Sequence, residues 1–129
     1  MPPELTWLGW SIVLGLVYVL VAAALGTWQR GLKWNVGNRD GEAKPLTGMA
    51  ARAARANRNF LETFAFFAAA ALAVVLAHKS NTWSAMGVQI YFWARVVYLP
   101  VYVAGIPYLR TLVWAASFWS ILQLLEALL

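Results

Sequence analysis

The sequence predicts an all-α integral membrane protein, a four-helix bundle of up-down topology, and three observations carry that prediction. Of 129 residues, 62% are apolar and 12% charged, and the mean hydropathy of +0.63 is too high for a soluble domain of this size, which must cover a large surface with polar residues. Apolar runs of bilayer length recur along the chain. The charge is gathered in one place: Arg30, Lys33, Arg39, Lys44, Arg52, Arg55 and Arg58 stand against only Asp40 and Glu42, so the whole net charge of +5 lies between residues 30 and 58. This composition excludes a disordered chain. With no Cys, it also excludes a disulfide-stapled secreted domain, a cysteine nucleophile and a thiolate metal site.

The elements follow in order within one domain, residues 1–129, with helices expected at about 5–28, 47–78, 83–104 and 108–129. Leu5 to Leu25 carries no charge and suffices to cross roughly 30 Å of hydrocarbon. It is too long for a signal-peptide core, and Met1-Pro2-Pro3-Glu4 lacks a positive leader region, so it is read as a permanent first span. The second span runs from about Phe60 to Ala77 with Glu62 as its one charge. The Ala- and Arg-rich stretch before it has no Pro or Gly after Gly48, which sets the helix start near Thr47 and leaves its first turns standing out of the membrane. The third span carries Arg95 and, near its end, Pro100, where a kink is expected. The turn Gly105-Ile106-Pro107 opens the fourth helix.

The basic block, flanked by membrane spans and lacking a nucleic-acid motif, reads as positive-inside topology, and no nucleic-acid partner is expected. Residues 30–58 are then cytoplasmic, both termini lie outside, and the third turn faces inward beside the basic loop. Trp7, Trp10, Trp28, Trp34 and Trp83 fall near span boundaries, where they anchor in the interface. The alanines from Ala68 to Ala71, with Ala73 and Ala77, permit close helix approach.

Ionisable groups inside membrane helices are costly and mark function. At 100° per residue, Arg52, Arg55, Arg58, Asn59 and Glu62 share one arc of the second helix. Tyr91, Arg95, Tyr98 and Tyr102, spaced 4, 3 and 4 apart, form one stripe on the third. Glu62 has an alternative partner in Arg58 at i,i+4, with solvated arginines above it. Arg95 is open between an ion pair with Glu62 across the bundle and direct contact with a ligand. Arg110, after the Pro107 turn, falls at the same level as Arg55 and Arg58. Guanidinium groups converging at a membrane-boundary cleft suit an anionic ligand bearing carboxylates, and the same charge favours a thiolate over a thiol. His78, at the outward end of the second helix, has no acidic or Cys neighbour to make a metal site, and none is expected. The serines have no base partner for nucleophilic catalysis.

The segment Arg52 to Phe64, RAARANRNFLETF, together with RVVYLPVY from Arg95 to Tyr102 and an Arg opening the last helix, resembles the membrane-associated proteins in eicosanoid and glutathione metabolism, the MAPEG family. The loop GNRDG, Gly37 to Gly41, is similar to that of the short bacterial members. The resemblance implies a homotrimer in a bacterial inner membrane, with glutathione as co-substrate bound between subunits near the cytoplasmic face. It also implies a transferase or peroxidase that turns the glutathione thiolate on an apolar electrophile or lipid hydroperoxide arriving from membrane lipid. Carried over by position, Arg55, Arg58, Asn59 and Glu62 hold the charged ends of glutathione, Glu62 its amino group. Tyr98 and Tyr102 come from the neighbouring subunit, Arg30 contributes at the end of the first helix, Arg52 and Arg95 support, and Arg110 stabilises the thiolate. Two positions depart from the pattern. Phe60 stands where the prostaglandin-forming members carry Asp, which argues against that isomerase chemistry, and Trp114 stands where some members carry a Tyr. The family also contains a member that binds lipid without catalysis, so a non-catalytic binder or scaffold is the second reading. A small exporter using Glu62 as a proton site is the third; the net positive pocket, which suits anions, speaks against it.

Overall fold

The structure, a computed structural model, describes residues 1–129 and contains five helices and no strand: α1 (Pro3–Arg30), α2 (Leu32–Val36), α3 (Gly48–Leu76), α4 (Thr82–Ala104) and α5 (Pro107–Leu128). Four are long; the fifth, α2, was not expected and forms one turn inside the basic connection. It follows Gly31, whose φ of 93° ends α1.

Local chemistry explains the boundaries. Pro3 opens α1 and Pro107 opens α5, each at a position whose N–H has no helical acceptor anyway. A reciprocal capping box between Asn81 and Ser84 starts α4, satisfying two N–H groups at once. Gly105, in the left-handed region at φ 81°, ends α4, with its N–H on the Tyr102 carbonyl and the Ile106 N–H on that of Val101. This double closure satisfies the last carbonyls. His78 closes α3 in the same way at φ 56°, with Lys79 N–H on Val74. At the other end of α3, the Gln29 side-chain amide donates to the Thr47 carbonyl at 2.8 Å and accepts from its N–H at 2.9 Å. The end of α1 is thereby clamped to the start of α3.

Three helices, α1, α3 and α5, are long and apolar enough to cross a membrane. α4 has the length but not the composition, because Gln89 and Arg95 interrupt it. It nevertheless lies at the same depth as the others. Ser84 at its start bonds Glu4 at the start of α1, Arg95 meets Tyr18 halfway, and Val103 near its end meets Arg52 at the start of α3. Lys79 Nζ, just beyond α3, reaches the Leu128 carbonyl at the end of α5. α1 and α4 therefore run one way, α3 and α5 the other, with α3 and α4 in contact across the centre and α1 and α5 apart.

Only 23 of the 129 residues are buried, and large apolar side chains such as Leu16, Leu20, Phe66, Leu112 and Leu122 point outward. That is the reverse of a water-soluble domain and matches a lipid-facing surface. The core is aromatic: Phe60 lies 4.6 Å from the Tyr18 ring and 5.2 Å from Phe64, and Phe67 stacks on Tyr91. Of the alanine run, Ala70 and Ala71 are buried.

Candidate functional site

The basic first half of α3, the last turns of α4 and the first turn of α5 meet at the Gly105-Ile106 turn. Tyr102 stands at the centre of this meeting. Arg55 Nε donates to its hydroxyl at 3.2 Å, the Arg110 guanidinium lies 4.8 Å from its ring centre, and Tyr98 packs edge-on against it at 5.5 Å. A cleft of about 250 Å³ opens here, lined by Asn59, Tyr98, Tyr102, Arg110, Thr111 and Trp114. A smaller hollow of about 180 Å³ adjoins it, sharing Tyr102 and Arg110 and adding Arg52 and Arg55. No carboxylate lines either space, so the field at the cleft is positive and favours an anion.

The arginines divide by what they touch. Arg52 Nε donates to the Val103 carbonyl at 2.7 Å, placing a cation on the negative end of the α4 dipole and bracing the turn. Arg55 and Arg110 face the hollow with donors to spare. Arg95 is fully buried behind the cleft. Its Nη1 donates to Asn59 Oδ1 and its Nη2 to Thr63 Oγ1, both at 2.8 Å. Its charge lies 4.8 Å from the Tyr98 ring, 5.7 Å from Tyr91 and 5.9 Å from Phe60, and Tyr18 holds its backbone carbonyl at 2.6 Å.

The ion pair between Arg95 and Glu62 does not form. Asn59 and Thr63 are one turn apart and share the face of α3 that meets α4, whereas Glu62 is rotated 100° from Thr63 and is exposed. Arg95, fully enclosed, is not among the residues that line the cleft, and its guanidinium is bonded to Asn59 and Thr63. Glu62 instead borders a second space, an apolar groove of about 510 Å³ between α3 and α5 whose walls include Phe66, Ala73, Trp114, Phe118 and Leu122. Arg58, like Glu62, is exposed on the outside of the bundle.

Arg55, Asn59, Tyr98, Tyr102 and Arg110 therefore come together in one chain, with Arg52 at the edge and Arg95 behind. Arg58 and Glu62 lie on the outer face of α3. Arg30 stands apart: its Nε donates to the Lys44 carbonyl at 2.7 Å, and it borders a separate cleft with Trp34, Asn35 and Arg39. Four participants were missed. Thr63 is one turn beyond Asn59 and Thr111 follows Arg110, so helical spacing could have found both. Trp114 lines the polar cleft and the apolar groove alike, a role its sequence position as a missing tyrosine did not suggest. Tyr18 reaches Arg95 across 77 positions of chain, and no local pattern signals it.

Compared with known proteins, the chain matches the MAPEG family model over residues 7–129. No curated protein and no solved structure matches it.

Proposed function

The chain belongs to the MAPEG family, and on that premise we propose that it is a membrane-bound, glutathione-dependent transferase or peroxidase acting on apolar electrophiles or lipid hydroperoxides. One observation carries the reading: a polar cleft bearing the Arg110 guanidinium, with no carboxylate in its lining, and an apolar groove of about 510 Å³ share a wall at Trp114. A charged thiol and an apolar partner taken from the bilayer can thus meet within one subunit's reach.

In this reading Arg55, Asn59, Tyr98 and Tyr102 hold glutathione, and the Arg110 guanidinium stabilises the sulfur as thiolate. In transfer, the sulfur lone pair forms an S–C bond to the electrophilic carbon, and the leaving group departs with its bonding pair. In peroxide reduction, the thiolate takes the terminal peroxide oxygen and the O–O bond breaks. The alkoxide leaves as the alcohol after protonation, and a second glutathione converts the sulfenic acid to disulfide and water. Arg58 and Glu62, both exposed, would serve a ligand held against a neighbouring subunit if the chain forms the homotrimer of four-pass chains that family membership suggests. The concentration of charge between residues 30 and 58 supports a cytoplasmic face for that region, with both termini outside a bacterial inner membrane.

Turnover of a generic aryl halide and of a lipid hydroperoxide by detergent-purified protein tests the proposal. Arg110→Ala is expected to lower kcat at least 10²-fold, on the order of one lost electrostatic stabiliser, with the fold intact by helical circular dichroism. Full activity in that variant removes Arg110 from the mechanism. Saturable glutathione binding with no turnover of any electrophile would favour the non-catalytic binder, a reading to which the absence of a hydroxyl at Trp114 lends weight.

A further inference from the structure

Asn59 is the one amide side chain lining the polar cleft, and its orientation follows from what stands behind it. A guanidinium donates hydrogen bonds and accepts none. Because Arg95 Nη1 lies 2.8 Å from the inner atom of the Asn59 amide, that atom is the carbonyl oxygen. The amide is planar, so its NH₂ is left on the other side, toward the cleft. Arg95 cannot turn to relieve this arrangement. Its second amino group is held by Thr63, three aromatic rings surround it, and its backbone is fixed by Tyr18.

We propose that Arg95 is a positioning residue that locks the Asn59 amide with its carbonyl inward, making Asn59 an obligate donor to the cleft and selecting there for a ligand group that accepts hydrogen bonds, such as a carboxylate, a peptide carbonyl or a thiolate. The side-chain orientation stands on geometry alone; its effect on glutathione rests on the function proposed above. With Asn59 fixed as donor, the cleft offers donors from Asn59 and Arg110 and hydroxyls from Tyr98, Tyr102 and Thr111, and no atom confined to accepting. The hydroxyls can still accept, but the Arg110 charge and the fixed Asn59 donor together favour an accepting, anionic group over a cation at this end.

The test compares Asn59→Asp with Asn59→Ala. Aspartate keeps an oxygen toward Arg95 and replaces the outward NH₂ by a second oxygen. Thermal melting of the full-length protein without ligand is therefore expected to place N59D at or above wild type and N59A below it, because only N59A leaves Arg95 Nη1 without an acceptor. Glutathione binding should run the other way: N59A weaker than wild type by on the order of 10-fold, as for one lost hydrogen bond to a charged or strongly polar group, and N59D weaker still. A role confined to packing predicts that binding and melting change in the same order. Arg95→Met, which fills similar volume without the buried charge, should weaken glutathione binding in the wild-type background and add nothing in N59A. Melting of N59D no higher than N59A overturns the locked amide, as does N59D binding glutathione like wild type. If wild type binds no glutathione, the proposed function falls while the melting order still decides the locked amide.

Discussion

Arg95 carries its charge into the middle of the bundle with no carboxylate beside it. The cost of that desolvation is several kcal/mol in general; two side-chain acceptors and three aromatic faces, the nearest at 4.8 Å, offset part of it, while Nε has no partner. The aromatic cage depends on small neighbours. A Cβ on Gly15 of α1 would come within 2.9 Å of Phe60 Cε1, on the ring that lies between Tyr18, Phe64 and Arg95. Gly15→Ala is expected to destabilise the protein by roughly 1–3 kcal/mol through overpacking, read as a lower melting temperature in detergent; an unchanged melt would mean that the ring has room to move. At this scale the sequence was informative about which residues line a face and less so about what they bond. The spacing of Tyr91, Arg95, Tyr98 and Tyr102 marked a single stripe, and Tyr91, Arg95 and Tyr98 are indeed buried. The partner of Arg95 was not legible, because opposite charge suggested Glu62 while helix rotation delivers Asn59 and Thr63.

The helices end where the backbone can turn, and two of those ends use the left-handed region with different residues. Gly105 adopts φ 81° without a side chain to clash, whereas His78 adopts φ 56° with one. An L-residue in this conformation costs about 1–2 kcal/mol relative to glycine. His78→Gly should therefore raise stability by about 1 kcal/mol, and Gly105→Ala should lower it by a similar amount, with the melting temperature of each as the readout. A His78→Gly melt below wild type would show that the imidazole makes a contribution beyond closing α3. Helix boundaries at Gly105-Ile106-Pro107 were readable because Gly and Pro act locally. The one-turn α2 was not, since five residues hold too little periodicity to rise above a loop. α4 was read as a span from its length and flanking turns, while α1, α3 and α5 are the helices with a continuous stretch apolar enough to cross a membrane. The stripe faces inward against α1 and α3, which is how a helix with Arg95 at its centre keeps an apolar exterior.

Across the whole molecule, polarity is arranged along the bundle axis. Arg52, Arg55, Arg58 and Arg110 gather at the end that carries the basic connection, while the exposed surface of α1, α3 and α5 is aliphatic and aromatic. The anion cleft lies at that basic end, and the apolar groove extends from Trp114 toward Leu128 at the other. In the proposed chemistry, glutathione, soluble and anionic, would enter from the basic side and an apolar partner from lipid. Membrane character and the polar cleft were legible from composition and motif spacing. The groove was not, because it is made by the relative placement of α3 and α5, and generic residues such as Ala73, Phe118 and Leu122 give no local sign of a shared wall. The measurement that bears most directly on this account is a glutathione titration of the detergent-purified protein, following the ultraviolet absorbance of the thiolate near neutral pH. The account predicts a saturable thiolate signal that Arg110→Ala abolishes; glutathione binding with no thiolate signal, or no binding at all, would contradict it.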